Sequence, residues 1–325
     1  MATVASGRGG VIARSLGHEA AWRSTLFGEL AAEFLGTFVL VALGDAAVAM
    51  AVAALPESTR TTTAFMAAGD WLLIAWGWGF SVVFGVYIAG GISKAHLNPA
   101  ITLARALRRG FPWRKVPAYM SVQVLAGFVA AALVYANYKT AISTFEHAQH
   151  IVRGDATSVK SFSIFATYPA KYFSGPIGPL VDQIIGTAFL VALVLALIDE
   201  YNVPVKGNMS GLLTGFVVVA IGISFGANVG YPINPARDLG PRLFAWIAGW
   251  GKLAMPGNYG NVSAFFWIPI VGPFIGAAIG AFVYDFFIRT ELVARGAEPD
   301  PEIVEGGEMA EDVASAAPER PATTG

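Results

Sequence analysis

The sequence predicts an all-α membrane protein with six transmembrane helices plus two re-entrant half-helices, arranged as inverted repeats. Three observations carry that expectation. Of 325 residues 55% are hydrophobic and only 13% charged, where a soluble chain carries about 25% charged residues. Several charge-free runs are long enough for a helix to cross a bilayer, which takes about 20 residues. The chain also echoes itself at an offset of about 140–150 residues. This composition excludes a disordered protein and disfavours a cytosolic enzyme. A net charge of −1, from 21 basic and 22 acidic residues, gives no support for a nucleic-acid partner. The absence of cysteine excludes disulfides and thiolate metal sites.

The first span is expected within residues 28–55, interrupted only by Glu29, Glu33 and Asp45. Residues 71–93 and 116–138 carry no charge and supply the second and third. The fourth falls in 179–198, with Asp182 its one charge, and the fifth and sixth in 207–236 and 253–284, again uncharged. The fifth run exceeds one span, and its excess from Gly226 to Pro235 is full of helix breakers. Residues 89–99 have the same character after the second span. Irregular backbone survives at membrane depth only where protein covers it or a water-filled cavity solvates it. Two re-entrant loops are therefore expected, whose backbone carbonyls at 90–96 and 227–231 are open to accept hydrogen bonds.

Domain bounds follow: an N-terminal segment, 1–27; a channel domain, 28–289, with repeats at about 28–138 and 178–289; and a disordered acidic tail, 290–325. Basic residues concentrate before the first span (Arg8, Arg14, Arg23) and between the second and third (Lys94, Arg105, Arg108, Arg109, Arg114, Lys115), whereas only Arg60 lies between the first and second. That asymmetry places both termini in the cytoplasm. The first apolar stretch is too long and too far in for a cleavable signal.

The repeat is visible in Phe34-Leu-Gly-Thr against Ile184-Ile-Gly-Thr, and in Asn98-Pro-Ala against Asn234-Pro-Ala. Three spans per half is an odd number, so the halves insert with opposite topology. Each Asn-Pro-Ala reads as a helix start, with Asn as N-cap and Pro at the first helical position. Half-helices are expected at about 98–107 and 234–246. Opposite insertion aims their two positive dipole ends at one point. Gly272, Gly276 and Gly280, at four-residue spacing, read as a close helix contact, as do Gly211 and Gly215.

At these residues the chain resembles the aquaporin, or major intrinsic protein, family, and is most similar to its glycerol facilitator branch. The motifs that carry the likeness are Ala-Glu-Phe-Leu-Gly-Thr (32–37), Ala-His-Leu-Asn-Pro-Ala (95–100), Phe-Glu-His-Ala-Gln-His-Ile-Val-Arg-Gly (145–154) and Asn-Pro-Ala-Arg-Asp-Leu-Gly-Pro-Arg (234–242). The resemblance implies a right-handed six-helix bundle with a pore in each protomer, assembled as a homotetramer in the plasma membrane. It implies that Asn98 and Asn234 donate side-chain hydrogen bonds to a passing hydroxyl or water oxygen. It puts Trp78, Gly222, Tyr231 and Arg237 in the selectivity filter, where Gly222 stands in place of the histidine of water-selective members and so widens the pore. Asp238 is the signature of glycerol-type members, and Tyr138, Arg242, Pro269 and Ile270 resemble that subgroup too. Glu33 matches a glutamate that braces a re-entrant loop; its repeat mate Gln183 departs from that pattern, yet its oxygen still accepts amide hydrogens. His96 is expected as a neutral ring bracing the loop or facing the pore.

The resemblance thus implies a passive channel for glycerol, other small neutral solutes and water, excluding protons and ions. The alternatives are a water-selective channel of the same fold, an inverted-repeat secondary transporter, and a junctional protein with a vestigial pore. For a coupled transporter, Glu33, Asp45 and Asp182 are too few and too peripheral. No cofactor and no metal is expected, since His147 and His150 lack a third ligand. Membrane lipid and the permeants are the expected partners.

Overall fold

Hydrocarbon offers a backbone N–H or C=O no partner, so an apolar run at membrane depth closes its hydrogen bonds within itself, as helix. The computed structural model, described over residues 21–58, 70–203 and 205–299, has six helices long and apolar enough to cross a membrane. Helix α1 (Leu26–Ala49) runs on through a π turn at Met50–Ala54. It is followed by α2 (Trp71–Ser93), the half-helix α3 (Pro99–Arg108) and α4 (Val116–Ala148). The second half repeats the order: α5 (Ile177–Ile198), α6 (Ser210–Val229), the half-helix α7 (Pro235–Ala245) and α8 (Ile268–Tyr284). Residues 1–20 and 300–325, most of the expected terminal segments, lie outside the described residues.

Starts and stops are set by local chemistry. Thr25 caps α1 by accepting the Phe27 N–H at 3.2 Å, and Asp70 caps α2 by accepting that of Leu72 at 2.8 Å. Helix α2 stops where Lys94 turns to positive φ, and α6 where Gly230 does the same. Two expectations need correction here. The Gly-rich ends of α2 and α6 remain helical to Ser93 and Val229, so the irregular backbone shrinks to residues 94–97 and 230–233. Glycine lowers helix propensity by only about 1 kcal/mol, and between helices that loss is smaller than the cost of freed backbone groups. The tail also starts later than expected: α8 continues through a π turn (Asp285–Arg289) and a last turn (Thr290–Ala294). No glycine or proline interrupts residues 285–294, and the stop falls at Gly296, at φ 76°.

Small residues set the distances between helices. A Cβ on Gly85 would lie 2.8 Å from the Gly36 carbonyl, and one on Gly215 2.6 Å from that of Gly79. These contacts join α1 to α2 and α2 to α6. A Cβ on Gly272 would sit 2.6 Å from the Gln183 Cβ, so α8 lies backbone-close against α5. Outward, Phe80, Phe84, Ile88 and Ile92 form an exposed stripe at four-residue spacing on α2. In lipid such a stripe is the stable arrangement.

Candidate functional site

The two half-helices begin on asparagines that cap them. Asn98 Oδ1 accepts the Ala100 N–H at 2.8 Å; Asn234 Oδ1 accepts those of Ala236 and Arg237 at 3.0 and 3.2 Å. Each amide nitrogen then crosses to the other repeat. Asn98 Nδ2 donates to the Ile233 carbonyl at 2.9 Å, and Asn234 Nδ2 to the Leu97 carbonyl at 2.8 Å. A side-chain amide has two hydrogens, so one N–H per asparagine is already committed and one remains. Both residues are buried and line a cavity of about 470 Å³.

The loops that deliver these caps hold non-glycine residues at positive φ: Lys94, Ala95 and Leu97 in one, Tyr231 and Ile233 in the other. For a β-branched residue such as Ile233 that region is an outlier, and it persists only where surroundings over-determine it. Glu33 supplies this in the first loop. It accepts the N–H groups of His96 (3.2 Å) and Leu97, the Ser93 hydroxyl (2.5 Å) and the Gln123 amide (2.6 Å). In the second loop Gln183 Oε1 accepts the Ile233 N–H at 3.0 Å, while its amide donates to Asp182. His96 both braces and lines: its Nδ1 meets the Thr102 hydroxyl at 3.1 Å, its ring abuts Phe111 and Tyr119, and it borders the cavity.

A second cavity, of about 240 Å³, opens on the other side, and Trp78 and Arg237 line both. They form the constriction between them, the guanidinium lying over the Trp78 ring at 4.0 Å. Tyr231 completes it, and here the expectation for Gly222 changes. A Cβ on Gly222 would meet Tyr231 ring atoms at 2.8 and 3.0 Å. The space that glycine leaves is thus occupied by the tyrosine ring. Trp71, not among the expected site residues, holds that ring edge-on at 5.8 Å and donates from its indole N–H to the Gly222 carbonyl at 2.9 Å. Its signal was present: seven residues before Trp78, it occupies the same helix face.

Three polar atoms at this constriction are buried and have no partner among the described residues: Trp78 Nε1, Tyr231 Oη and Arg237 Nη1. Among the described residues the charged ones lining the two cavities are Lys94, Arg105 and Arg237, with no Asp or Glu. Glu33 and Asp45 are not peripheral, since both are fully buried, yet neither they nor Asp182 line the lumen. Asp45 has no hydrogen-bond partner among the described residues, and Arg237 and Asp238 are the charges acting on it.

Asp238 faces away from the lumen. It accepts the Thr167 N–H and hydroxyl at 2.9 and 2.6 Å and pairs with Arg242 at 2.7 Å. Arg242 also donates to the carbonyls of Thr167 and Ala254 and to the Tyr259 hydroxyl. Burial pushes that hydroxyl's pKa up to about 12, with Arg242 pulling the other way. Asp238 and Arg242 thereby pin the segment carrying Thr167 and Tyr168, which walls the smaller cavity. Among the described residues no group of three His, Asp or Glu side chains is placed to hold a metal.

Residues 20–284 match the family model described as major intrinsic protein. The chain is 43% identical over 273 residues to aquaporin-10 of Milnesium tardigradum, covering 82% of this chain and 64% of that protein. It spans only about half, 53%, of aquaglyceroporin-9 of Botryotinia fuckeliana, at 42% identity. With the glycerol uptake facilitator protein of Escherichia coli it shares 40% identity, covering 83% of this chain and 91% of that one. The X-ray structure of the aquaglyceroporin from Plasmodium falciparum superposes with a TM-score of 0.69 at 30% identity, over 83% of this chain and all of that one. With the paired caps, the inverted halves and these matches in agreement, the chain belongs to the major intrinsic protein family.

Proposed function

We propose that this protein is a passive channel that conducts glycerol and other small neutral solutes together with water and excludes protons and ions. One observation carries the proposal: three partnerless polar atoms, on Trp78, Tyr231 and Arg237, surround the constriction between two cavities. Taking a hydroxyl out of water without a new hydrogen bond costs roughly 2–7 kcal/mol. A solute with hydroxyls on a carbon chain both needs those atoms and supplies what they lack. Its carbons rest on the aromatic faces of Trp78 and Tyr231.

Beyond the filter, the spare N–H of Asn98 and of Asn234 points a donor at the next oxygen. Further on, the last four carbonyls of α2, which a helix end leaves without helical partners, serve as acceptors; Gly90 and Gly91 among them line the cavity. Cations meet the reverse. Dehydrating one costs far more than a neutral hydroxyl, up to tens of kcal/mol before compensation, and a lumen lined by Lys94, Arg105 and Arg237 without a carboxylate returns none of it. The missing luminal carboxylate also argues against proton-coupled transport. The relatives named glycerol uptake facilitator and aquaglyceroporin support the same solute. One observation favours a water-selective filter instead: the Tyr231 ring fills the room beside Gly222.

The test is stopped-flow shrinkage and reswelling of proteoliposomes in a glycerol gradient. Reswelling at least tenfold faster than in protein-free vesicles is expected. Fast shrinkage with reswelling no faster than in empty vesicles transfers the assignment to a water-selective channel. Gly222→Ala, which drives a methyl into the Tyr231 ring, is expected to cut glycerol flux more than water flux.

The proposal extends to a homotetramer in the plasma membrane with both termini cytoplasmic. The exposed apolar stripe on α2 supports contact with lipid or a second copy, and the basic residues flanking α3 support the orientation. Cross-linking in native membranes and protease access to tagged termini check these two points.

A further inference from the structure

Arg105, Arg108 and Arg109 follow one another at the end of α3, and they are used differently. Arg108 and Arg109 both hold Asp285, at 2.5 and 2.7 Å. Arg105 holds nothing: its guanidinium makes no hydrogen bond or ion pair among the described residues, its Nε is shut off from solvent, and the side chain lines the larger cavity. It stands seven residues past Asn98, about 10 Å further along the half-helix. Arg237 stands three residues past Asn234 on the oppositely directed half-helix, about 4.5 Å on. Two guanidinium groups therefore flank the asparagine pair from opposite sides.

Around Arg105 the mouth is cationic. Lys94 borders the same cavity, and among the described residues no carboxylate does. The acidic groups acting on Arg105 electrostatically are Glu33 and the Tyr119 phenol; the Glu33 oxygens are already engaged by Ser93, His96, Leu97 and Gln123, and the Tyr119 hydroxyl donates to Glu29. Opposite, the Asn208, Ser210 and Thr214 side of the cavity adds neutral polar groups. An open guanidinium fork matches an oxyanion through paired N–H···O bonds better than it matches any other small group.

From this unpaired fork we infer that the mouth at the α3 end is a binding site for a small soluble oxyanion, of the phosphate or carboxylate class, which seats on Arg105 with help from Lys94 and blocks the lumen while bound. The site lies inside the channel wall, beside His96 and Asn98, so the occupant is a soluble ion rather than a lipid headgroup. Bulk water at the mouth limits such a site to millimolar affinity. The block rests on the conduction proposed above; the binding does not.

The experiment uses the full-length protein and inorganic phosphate. Glycerol permeability of proteoliposomes is measured with phosphate on both sides and with chloride at equal ionic strength, and the ratio is compared between wild type and Arg105→Gln. At about 20 mM phosphate the wild-type ratio is expected to fall twofold or more, and that of Arg105→Gln to stay near one. Thermal unfolding of the purified proteins is run in parallel, with phosphate expected to raise the wild-type midpoint alone. A wild type that conducts in chloride but responds to phosphate in neither assay overturns the inference and leaves the conduction proposal standing. An equal response in Arg105→Gln overturns it as well. If nothing conducts in chloride, the conduction proposal fails, and the unfolding shift still decides whether the oxyanion binds.

Discussion

Residues 94–97 and 230–233 deliver the same cap to the same point, but their supports differ. Beneath the first loop lies a carboxylate that takes four hydrogen bonds, two of them from the loop's own backbone. Beneath the second lies a neutral amide that takes one. The second loop recovers support from the other direction. Asp238 and Arg242, on α7, clamp the Thr167 segment, and the Thr167 side chain lies beside Gly230. The charge that braces the first half from below has moved behind the half-helix in the second. That is also the half in which Arg237 lines both cavities, with its Nη1 unpartnered among the described residues. The repeats share a backbone solution and distribute their ionic bracing separately.

The largest effect should come from Glu33→Leu, which strands four donors at once. At about 1–3 kcal/mol for each unsatisfied buried group, a loss of about 5 kcal/mol is expected, read as a collapse of the unfolding midpoint in detergent. A shift of only a degree or two would mean that the carboxylate is not what holds the first loop. Asp238→Asn breaks a buried pair, where removing one charge costs about 3 kcal/mol. Its unfolding midpoint should fall between those of Glu33→Leu and wild type, and glycerol flux should drop as the Thr167 segment loosens. Unchanged flux would separate that segment from the filter. The smallest effect is expected for Gln183→Leu, which frees one loop N–H, at about 1 kcal/mol. If it destabilised as strongly as Glu33→Leu, the contrast between the loops would disappear.

Much of this was legible in the residues. The spans were set by where charges are missing, and the capped half-helices by Asn-Pro-Ala, because both rest on local rules about backbone hydrogen bonds. Trp78, Gly222, Tyr231 and Arg237, singled out by their spacing from the two caps, lie beside one another in the fold. What escaped were facts about space. That Gly222 makes room for Tyr231, and that Trp71 holds that ring, depend on how α2 and α6 approach each other across Gly79 and Gly215. The commitment of one asparagine hydrogen to the opposite loop was equally hidden, because its acceptor lies in the other repeat. Asp238 stands out in the sequence only through the resemblance; its Thr167 partner lies on a connecting segment with no periodic signature.

The crossed asparagine bonds also bear on how the protein is made. Asn98 waits for a carbonyl 135 residues downstream, which a ribosome adding about 5–20 residues per second supplies on the order of 10 s later. During that interval the tip of the first half lacks its latch, and water or a chaperoning factor must shelter it. Closure of the pair waits until the second cap has been made, so the two asparagine tips cannot meet in a chain that stops within the first repeat.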